Sequence, residues 1–301
     1  MIKVCLHSEN LSTGAMTHSI RNIAKHINKE EFEVFLASAD DGTCYYPEVA
    51  KQFKPENIFL YKREPGWMYQ YDPDTGEYPL PVEDHPLFGW LEEKKIDIVH
   101  DNRGGQAYFP LNSPHVKAKK IESNIFAGYD GTEDIAKTLC ISKGVLNDWQ
   151  EQMNRRSPHL THRGVHLYPA VSLPETEDNM REELGISEDT IVVGRFSNAG
   201  RGDTANFEAY ARVETDKTVF LTPNITLDQK EFVKKLGIKN VHILPTLITY
   251  YDVSRFYNTL DIAVHNRGES FGGFVAEAHI HGVPVITHGW SRQQWTPATG
   301  Q

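Results

Sequence analysis

Glu269 and Glu277 stand eight residues apart around the run Ser-Phe-Gly-Gly-Phe-Val-Ala, so two carboxylates flank a glycine pair, Gly272 and Gly273, suited to opening a helix. The run before it, Leu260-Asp-Ile-Ala-Val-His265, reads as a buried strand, and Val283-Pro-Val-Ile-Thr287 reads as the next. Strand, glycine turn, helix and strand make a βαβ unit. A helix N-terminus carries unpaired N–H groups and partial positive charge. Glycine lets a ligand approach the backbone closely, so Phe271, Gly272 and Gly273 are placed to receive an anion, with phosphate the natural guest.

The rest of the chain alternates in the same way. In the first half, residues 2–7, 33–38, 57–61 and 96–100 read as strands, residues 17–27 as a helix, and residues 119–125 and 138–142 as further strands, the last leading into a helix from Lys143 toward Met153. After a proline-bearing connector at 169–174, the runs 191–194, 218–221, 241–244, 261–264 and 284–286 supply five more strands separated by helices. Such alternation predicts doubly wound parallel sheets. Between Tyr61 and Leu91 the pattern breaks into turn residues and aromatics, among them Trp67, Tyr69, Tyr71 and Tyr78. This long loop is either a stacking surface for a sugar or base, or a hairpin folded on its own aromatics.

The glutamate pair and its glycines resemble the E-x7-E motif of the retaining glycosyltransferases of family 4, which have the GT-B fold and take sugars from nucleotide diphosphates. Tyr168-Pro-Ala-Val171 resembles that family's interdomain linker, Met180-Arg-Glu-Glu-Leu-Gly-Ile186 its lead-in helix, and Ile191-Val-Val-Gly-Arg-Phe-Ser197 the first strand and phosphate loop of its donor domain. The resemblance spans residues 139–287, and is weaker before that, where Ser12-Thr-Gly-Ala15 and the helix at 20–27 are similar to the family's N-terminal glycine loop and helix. It implies two Rossmann-like doubly wound domains facing a central cleft. The first, 1–167, would hold the acceptor, and the second, 168–301, the nucleotide sugar. Only Thr287 to Gln301 follow the Pro-Val-Ile strand. The resemblance therefore predicts a shortened form without the usual C-terminal crossover helix, with a looser hinge or a homo-oligomer in its place.

By the same resemblance, Glu277 binds the ribose hydroxyls and Glu269 lies by the donor sugar. Both roles make chemical sense, because a carboxylate accepts from two vicinal hydroxyls and stabilises positive charge developing at an anomeric carbon. Arg195 or Arg201 takes the basic role at the diphosphate, with Arg201 preferred, although Asn198-Ala-Gly-Arg-Gly202 alters the family's spacing. Gly14 fits a tight turn near the phosphates. His100, ending the strand-like run 96–100 and followed by Asp101-Asn-Arg-Gly-Gly105, stands where parallel sheets place ligand-binding residues; a structural strand cap is the equal alternative. No tightly bound cofactor and no essential metal are implied. The donor would be a UDP-sugar or GDP-sugar, and the acceptor a glycan, lipid-linked sugar, metabolite or modified DNA base.

Composition narrows the alternatives. The chain of 301 residues is long enough for two domains, and 39% hydrophobic content supports a core in each. A net charge of −10 disfavours nonspecific nucleic-acid binding, and the patches Lys117-Ala-Lys-Lys120 and Arg155-Arg156 read as solvated faces. The first patch, with the aromatic loop, would be the footprint of the runner-up reading, a glycosyltransferase acting on hydroxylated bases in DNA. A nonenzymatic nucleotide-sugar-binding subunit is the third. The chain opens at once on a strand and no run approaches a membrane span, so the expected address is the cytoplasm. Cys5, Cys44 and Cys140 read as small buried hydrophobes. Asp72-Pro-Asp74 reads as a turn, not a metal site, and the spacing of His159, His162 and His166 in a connector as ordinary loop histidines.

Overall fold

A computed structural model describes residues 1–8, 10–11, 15–40, 47–62, 85–103, 110–196, 204–247, 249–265 and 271–287. Gly14, Cys44, the aromatic loop with Asp72 and Asp74, Arg201, Glu269 and everything after Thr287 lie outside the described residues. The chain divides into two compact units, Met1–Ala170 and Val171–Gln301, a junction at 170/171 where the sequence suggested 167/168.

In the first unit the strands are β1 (Ile2–Ser8), β2 (Phe32–Asp40), β3 (Ile58–Lys62), β4 (Ile98–Arg103), β5 (Lys119–Asn124), β6 (Ile135–Cys140) and β7 (Gly164–His166). They form one parallel sheet in the order β3-β2-β1-β4-β5-β6-β7. Its helices are α1 (Ala15–His26), α2 (Pro47–Ala50), α3 (Pro86–Lys94) and α4 (Lys143–Arg156). Parallel strands are covered on both faces, which is why β1 and β2 carry near-continuous buried runs in place of an alternation. One face, through Cys5, Phe35, Ala37 and Val99, packs on Leu87, Phe88 and Leu91 of α3.

The second unit repeats the plan with β8 (Ile191–Gly194), α5 (Ala205–Ala211), β9 (Thr218–Pro223), α6 (Leu227–Leu236), β10 (Val241–Leu244), α7 (Tyr250–Thr259), β11 (Ile262–His265), α8 (Gly273–Ile280) and β12 (Val285–Thr287). Its parallel sheet runs β10-β9-β8-β11-β12. Local chemistry sets the helix ends. Thr226 and Gln229 form a reciprocal capping box at the start of α6, and Gly237, at φ +72°, closes it.

Several expectations are corrected. The lead-in helix at 180–186 is a single turn: Leu184 N–H bonds to Met180 O at 3.0 Å, and Gly185, at φ +65°, ends the winding at once. The break between Tyr61 and Leu91 stops at Pro86, where His85 caps α3 by accepting from Leu87 N–H. Residues 157–166 are no connector. They form a 3-10 helix, Pro158–Arg163, and then the edge strand β7, which can lie against α4 because Gly164 has no side chain; a Cβ there would stand 2.3 Å from Trp149 Cζ3.

Candidate functional site

Both sheets reverse their winding at one place, and in open α/β sheets ligands bind in the crevice beyond the strand C-termini at that switch. In the second unit the chain winds from β8 outward to β10, then returns to β11 on the other side of β8. The switch therefore lies between β8 and β11, whose paired residues are Val193 with Ile262 and Gly194 with Ala263. Arg195 directly follows β8, and the Gly272–Gly273 turn follows β11 through residues outside the described set. Topology thus brings two of the sequence-selected segments to one crevice.

Each arm of that crevice has a local cause. Gly194 admits Leu260 against the strand end, for a Cβ would meet Leu260 Cδ2 at 2.1 Å. Arg195 is buried, 2% exposed. On the other arm Gly272 takes φ +79°, ψ +54° as the residue that starts α8, a left-handed conformation that glycine adopts without steric cost. Gly273 has open space around its Cβ position, so an approaching group meets backbone. Phe271 is half-buried, and Phe274, Val275 and Ala278 bury the inner face of α8.

Glu277 lies half-buried on the second turn of α8, and its Oε2 accepts the hydroxyl proton of Tyr257 at 2.7 Å. The Tyr257 ring is wholly buried on α7. Its neighbours are Phe274 at 5.7 Å between centroids, Phe196 at 6.3 Å, Phe256 at 5.5 Å and a nearly parallel His281 at 5.5 Å. Burial, and then the charge of Glu277, push the phenol well above its ordinary pKa, so it stays a donor. His281 Nδ1 in turn meets Asn258 Oδ1 at 2.8 Å. Phe196 and Phe274 belong to the two arms of the crevice, and Tyr257 packs against both. Sequence reasoning missed Tyr257, since an aromatic on an amphipathic helix reads as core. An open depression of about 490 Å3, lined by Asn258, Asp261, His281 and Pro284, lies by the N-terminal ends of β11 and β12, the edge opposite the crevice.

In the first unit the winding reverses between β1 and β4. His100 lies inside β4, which runs on to Arg103, and not at its end as the sequence suggested. The ring is 8% exposed, and Nε2 shares a hydrogen bond with Ser123 Oγ at 2.8 Å. Burial lowers its pKa to about 4, against the opposing pull of Asp101, so the imidazole is neutral at physiological pH. On the other face a row of register neighbours crosses four strands: His7, Asp101, Glu122 and Thr138. His7 Nδ1–H donates to Asp101 Oδ1 at 2.7 Å, and Nε2 meets the Tyr61 hydroxyl at 2.8 Å. The small Ala37 and Ala39 of β2 leave room for these rings to meet across the intervening strand. Glu122 accepts from Thr138 Oγ1 at 2.6 Å and stands 3.9 Å from Arg163 Nη2. Burial and then Asp130 push its pKa up to about 8. No motif announced this polar row, because its members come from four strands far apart in the sequence and only the register brings them side by side.

The remaining sequence signals resolve into ordinary contacts. Lys117 and Lys119 are exposed, as a solvated face requires, but Lys120 is buried, with Nζ bonded to Asp134 Oδ2 at 2.6 Å and Ser113 O at 2.8 Å. His159 meets Glu133 at 3.0 Å, His162 its own turn's carbonyl at 2.8 Å, and His166 the ring of Tyr168. Among the described residues no cluster of three or more histidine, cysteine or acidic side chains is arranged to hold a metal. Cys5 and Cys140 are buried free thiols. No described helix is long and apolar enough to cross a membrane.

No protein-family model matches the chain, and no curated protein matches it. Solved structures do. A glycosyltransferase from Rickettsia africae superposes with a TM-score of 0.63 at 14% identity, over 95% of this chain and 79% of that one. Anabaena HepE in complex with UDP-glucose gives 0.65 at 14% identity, over 95% and 80%. A putative UDP-N-acetylglucosamine 2-epimerase from Listeria monocytogenes gives 0.59 at 13% identity, over 97% and 80%. At such identities the likeness establishes the fold: two Rossmann-like units of the GT-B class found among glycosyltransferases.

Proposed function

We propose that this protein is a retaining glycosyltransferase that takes a sugar from a nucleoside diphosphate, a UDP-sugar or GDP-sugar, and delivers it to a hydroxyl acceptor. The observation that carries the reading is the arrangement at the β8–β11 switch. A glycine-started helix N-terminus and a buried arginine flank one crevice, with a carboxylate held by a buried tyrosine one turn deeper. This is the donor set a nucleoside diphosphate requires: N–H groups and a guanidinium for phosphate, a carboxylate for the ribose diol. Arg195 and Arg201 take the diphosphate, Glu277 the ribose and Glu269 the donor sugar. The first unit serves the acceptor, with His100 acting through orientation, since its imidazole is uncharged, while Gly14 serves the phosphates. In the reaction the bond from the anomeric carbon to the diphosphate oxygen breaks and the bond to the acceptor oxygen forms. The acceptor's proton leaves with the diphosphate.

The test is thermal unfolding of the purified chain with UDP-, GDP-, ADP- and TDP-sugars, with Glu277→Ala as control. A donor at a hundredfold excess over its dissociation constant adds about 2.7 kcal/mol, a rise of several degrees. A shift with one nucleotide, lost in Glu277→Ala, supports the donor site; equal shifts in both proteins refute the ribose assignment. Binding without transfer or hydrolysis would favour the nonenzymatic reading, and loss of the donor's sugar configuration without any acceptor would favour an epimerase.

A further inference from the structure

We propose that Asn206 is a further donor-binding residue, whose side-chain amide hydrogen-bonds the diphosphate beside Arg195; the inference rests on the reading of the β8–β11 crevice as a nucleoside diphosphate site. Asn206 stands in the first turn of α5 and is 7% exposed. Its Nδ2 is buried, and among the described residues nothing accepts from it. A buried amide nitrogen without a partner costs stability, and a folded protein keeps few of them. Asparagine is also a poor helix former, because its side chain competes for nearby backbone groups. The position therefore departs from local preference and from polar satisfaction at once, which is where functional sites are expected. Thr204, the residue that opens the helix, makes no side-chain cap either.

The fold sets this amide at the crevice. In a parallel sheet the helix that follows a strand starts at the strand's C-terminal edge, the edge where ligands bind. Phe207, wholly buried, belongs to one apolar cluster with Val193 of β8 and Val264 of β11, so α5 packs on both strands that bound the switch. The rings of Phe207 and Tyr210 lie 5.4 and 5.1 Å from that of Phe220, which fixes the helix in place. Arg195 N–H bonds to Leu221 O at 3.0 Å, so the ladder runs one residue past Gly194. Strand alternation then turns Arg195 to the face of Val193, the face that α5 covers. Guanidinium and amide share one side of the strand end. That pairing suits a diphosphate: the guanidinium offsets charge, and the amide adds a directed N–H donor without a second cation.

The experiment is calorimetric titration of the full chain with UDP and GDP, and with uridine and guanosine as phosphate-free probes, for wild type, Asn206→Leu, Asn206→Ser and Asn206→Asp. Leucine keeps the branched shape without the polar atoms, and serine keeps the site testable where leucine does not fit. For whichever nucleotide the wild type binds, Asn206→Leu and Asn206→Ser should lose about tenfold in affinity, as expected for one hydrogen bond to a charged group, with the nucleoside unchanged within about twofold. Asn206→Asp should lose more, and its loss should shrink as salt is raised, because a carboxylate repels the diphosphate. The free Asn206→Leu protein should melt no lower than wild type, since it removes a buried polar atom that has no partner. Diphosphate affinity unchanged in both Asn206→Leu and Asn206→Ser would overturn this inference alone, as would a loss equal for nucleotide and nucleoside. Wild-type protein that binds neither UDP nor GDP would overturn it together with the donor-site reading.

Discussion

Gly194→Ala is the sharpest test of how packing shapes the crevice. Gly194 ends β8 directly before Arg195, and a Cβ built there lies 2.1, 2.7 and 3.0 Å from Leu260 Cδ2, Cδ1 and Cγ, where ordinary contact begins at 3.4 Å. Leu260 must therefore retreat by more than an ångström, and since Cγ is also too close, rotation of the tip alone does not clear it. The residue has little room to move: it is 7% exposed and its N–H is bonded to Tyr257 O at 3.0 Å. Overpacking of this kind costs about 1–3 kcal/mol, which for a unit of this size lowers the melting temperature by roughly 5–10 °C. Scanning calorimetry measures it, and nucleotide titration should show weaker binding, because the displaced strand end carries Arg195. Leu260→Val, which shortens the obstructing side chain, should recover part of the loss when combined with Gly194→Ala. A melting temperature unchanged by Gly194→Ala, or strictly additive effects in the double variant, would refute the reasoning.

Two further outcomes are expected. Gly272→Ala forces a side chain into φ +79° at the start of α8 and should cost about 1–2 kcal/mol in denaturant titration, with Gly272→Asn milder. Between pH 7 and 8 the stability of the first unit should fall as pH rises. Glu122, pushed up to about 8, is protonated when folded and ionised when unfolded, so its contribution is full below the unfolded value of 4.5 and is lost as pH rises through 8. The slope is about 1.4 kcal/mol per pH unit for one such group. His85 and His100, both lowered to about 4, work in the opposite sense, their stabilisation rising with pH up to about 6.5 and levelling off above 7, so they shallow the slope at the lower end of this window. Denaturation midpoints against pH should show the slope, and Glu122→Gln should flatten it.

The sequence by itself determined the strands and the glycine-started helix, because these are written in short-range chemistry. Uninterrupted apolar runs such as Leu36 and Ala37 in β2 can only be buried on both faces, and paired glycines after such a run can only be a turn. It also put Arg195 after one strand and Gly272 and Gly273 after another, at the C-terminal edge where open α/β sheets form their ligand crevice. It misread what depends on neighbours distant in the chain. His100 seemed a strand end because the apolar run stops there, yet β1 and β5 continue beside it and carry β4 on through Asp101 and Asn102 to Arg103. Lys120 read as solvent-facing until the carbonyl of Ser113 and the carboxylate of Asp134 closed over its ammonium group. Residues 164–166 became a strand because Gly164 leaves space for Trp149, a contact no local pattern encodes. Tertiary structure alone decided that Tyr257 meets Glu277, and that His7, Asp101, Glu122 and Thr138 form one row. Hydrogen bonds and register between separate strands and helices are set by how the elements pack, and a polar residue in one segment carries no sign of which distant segment will supply its partner.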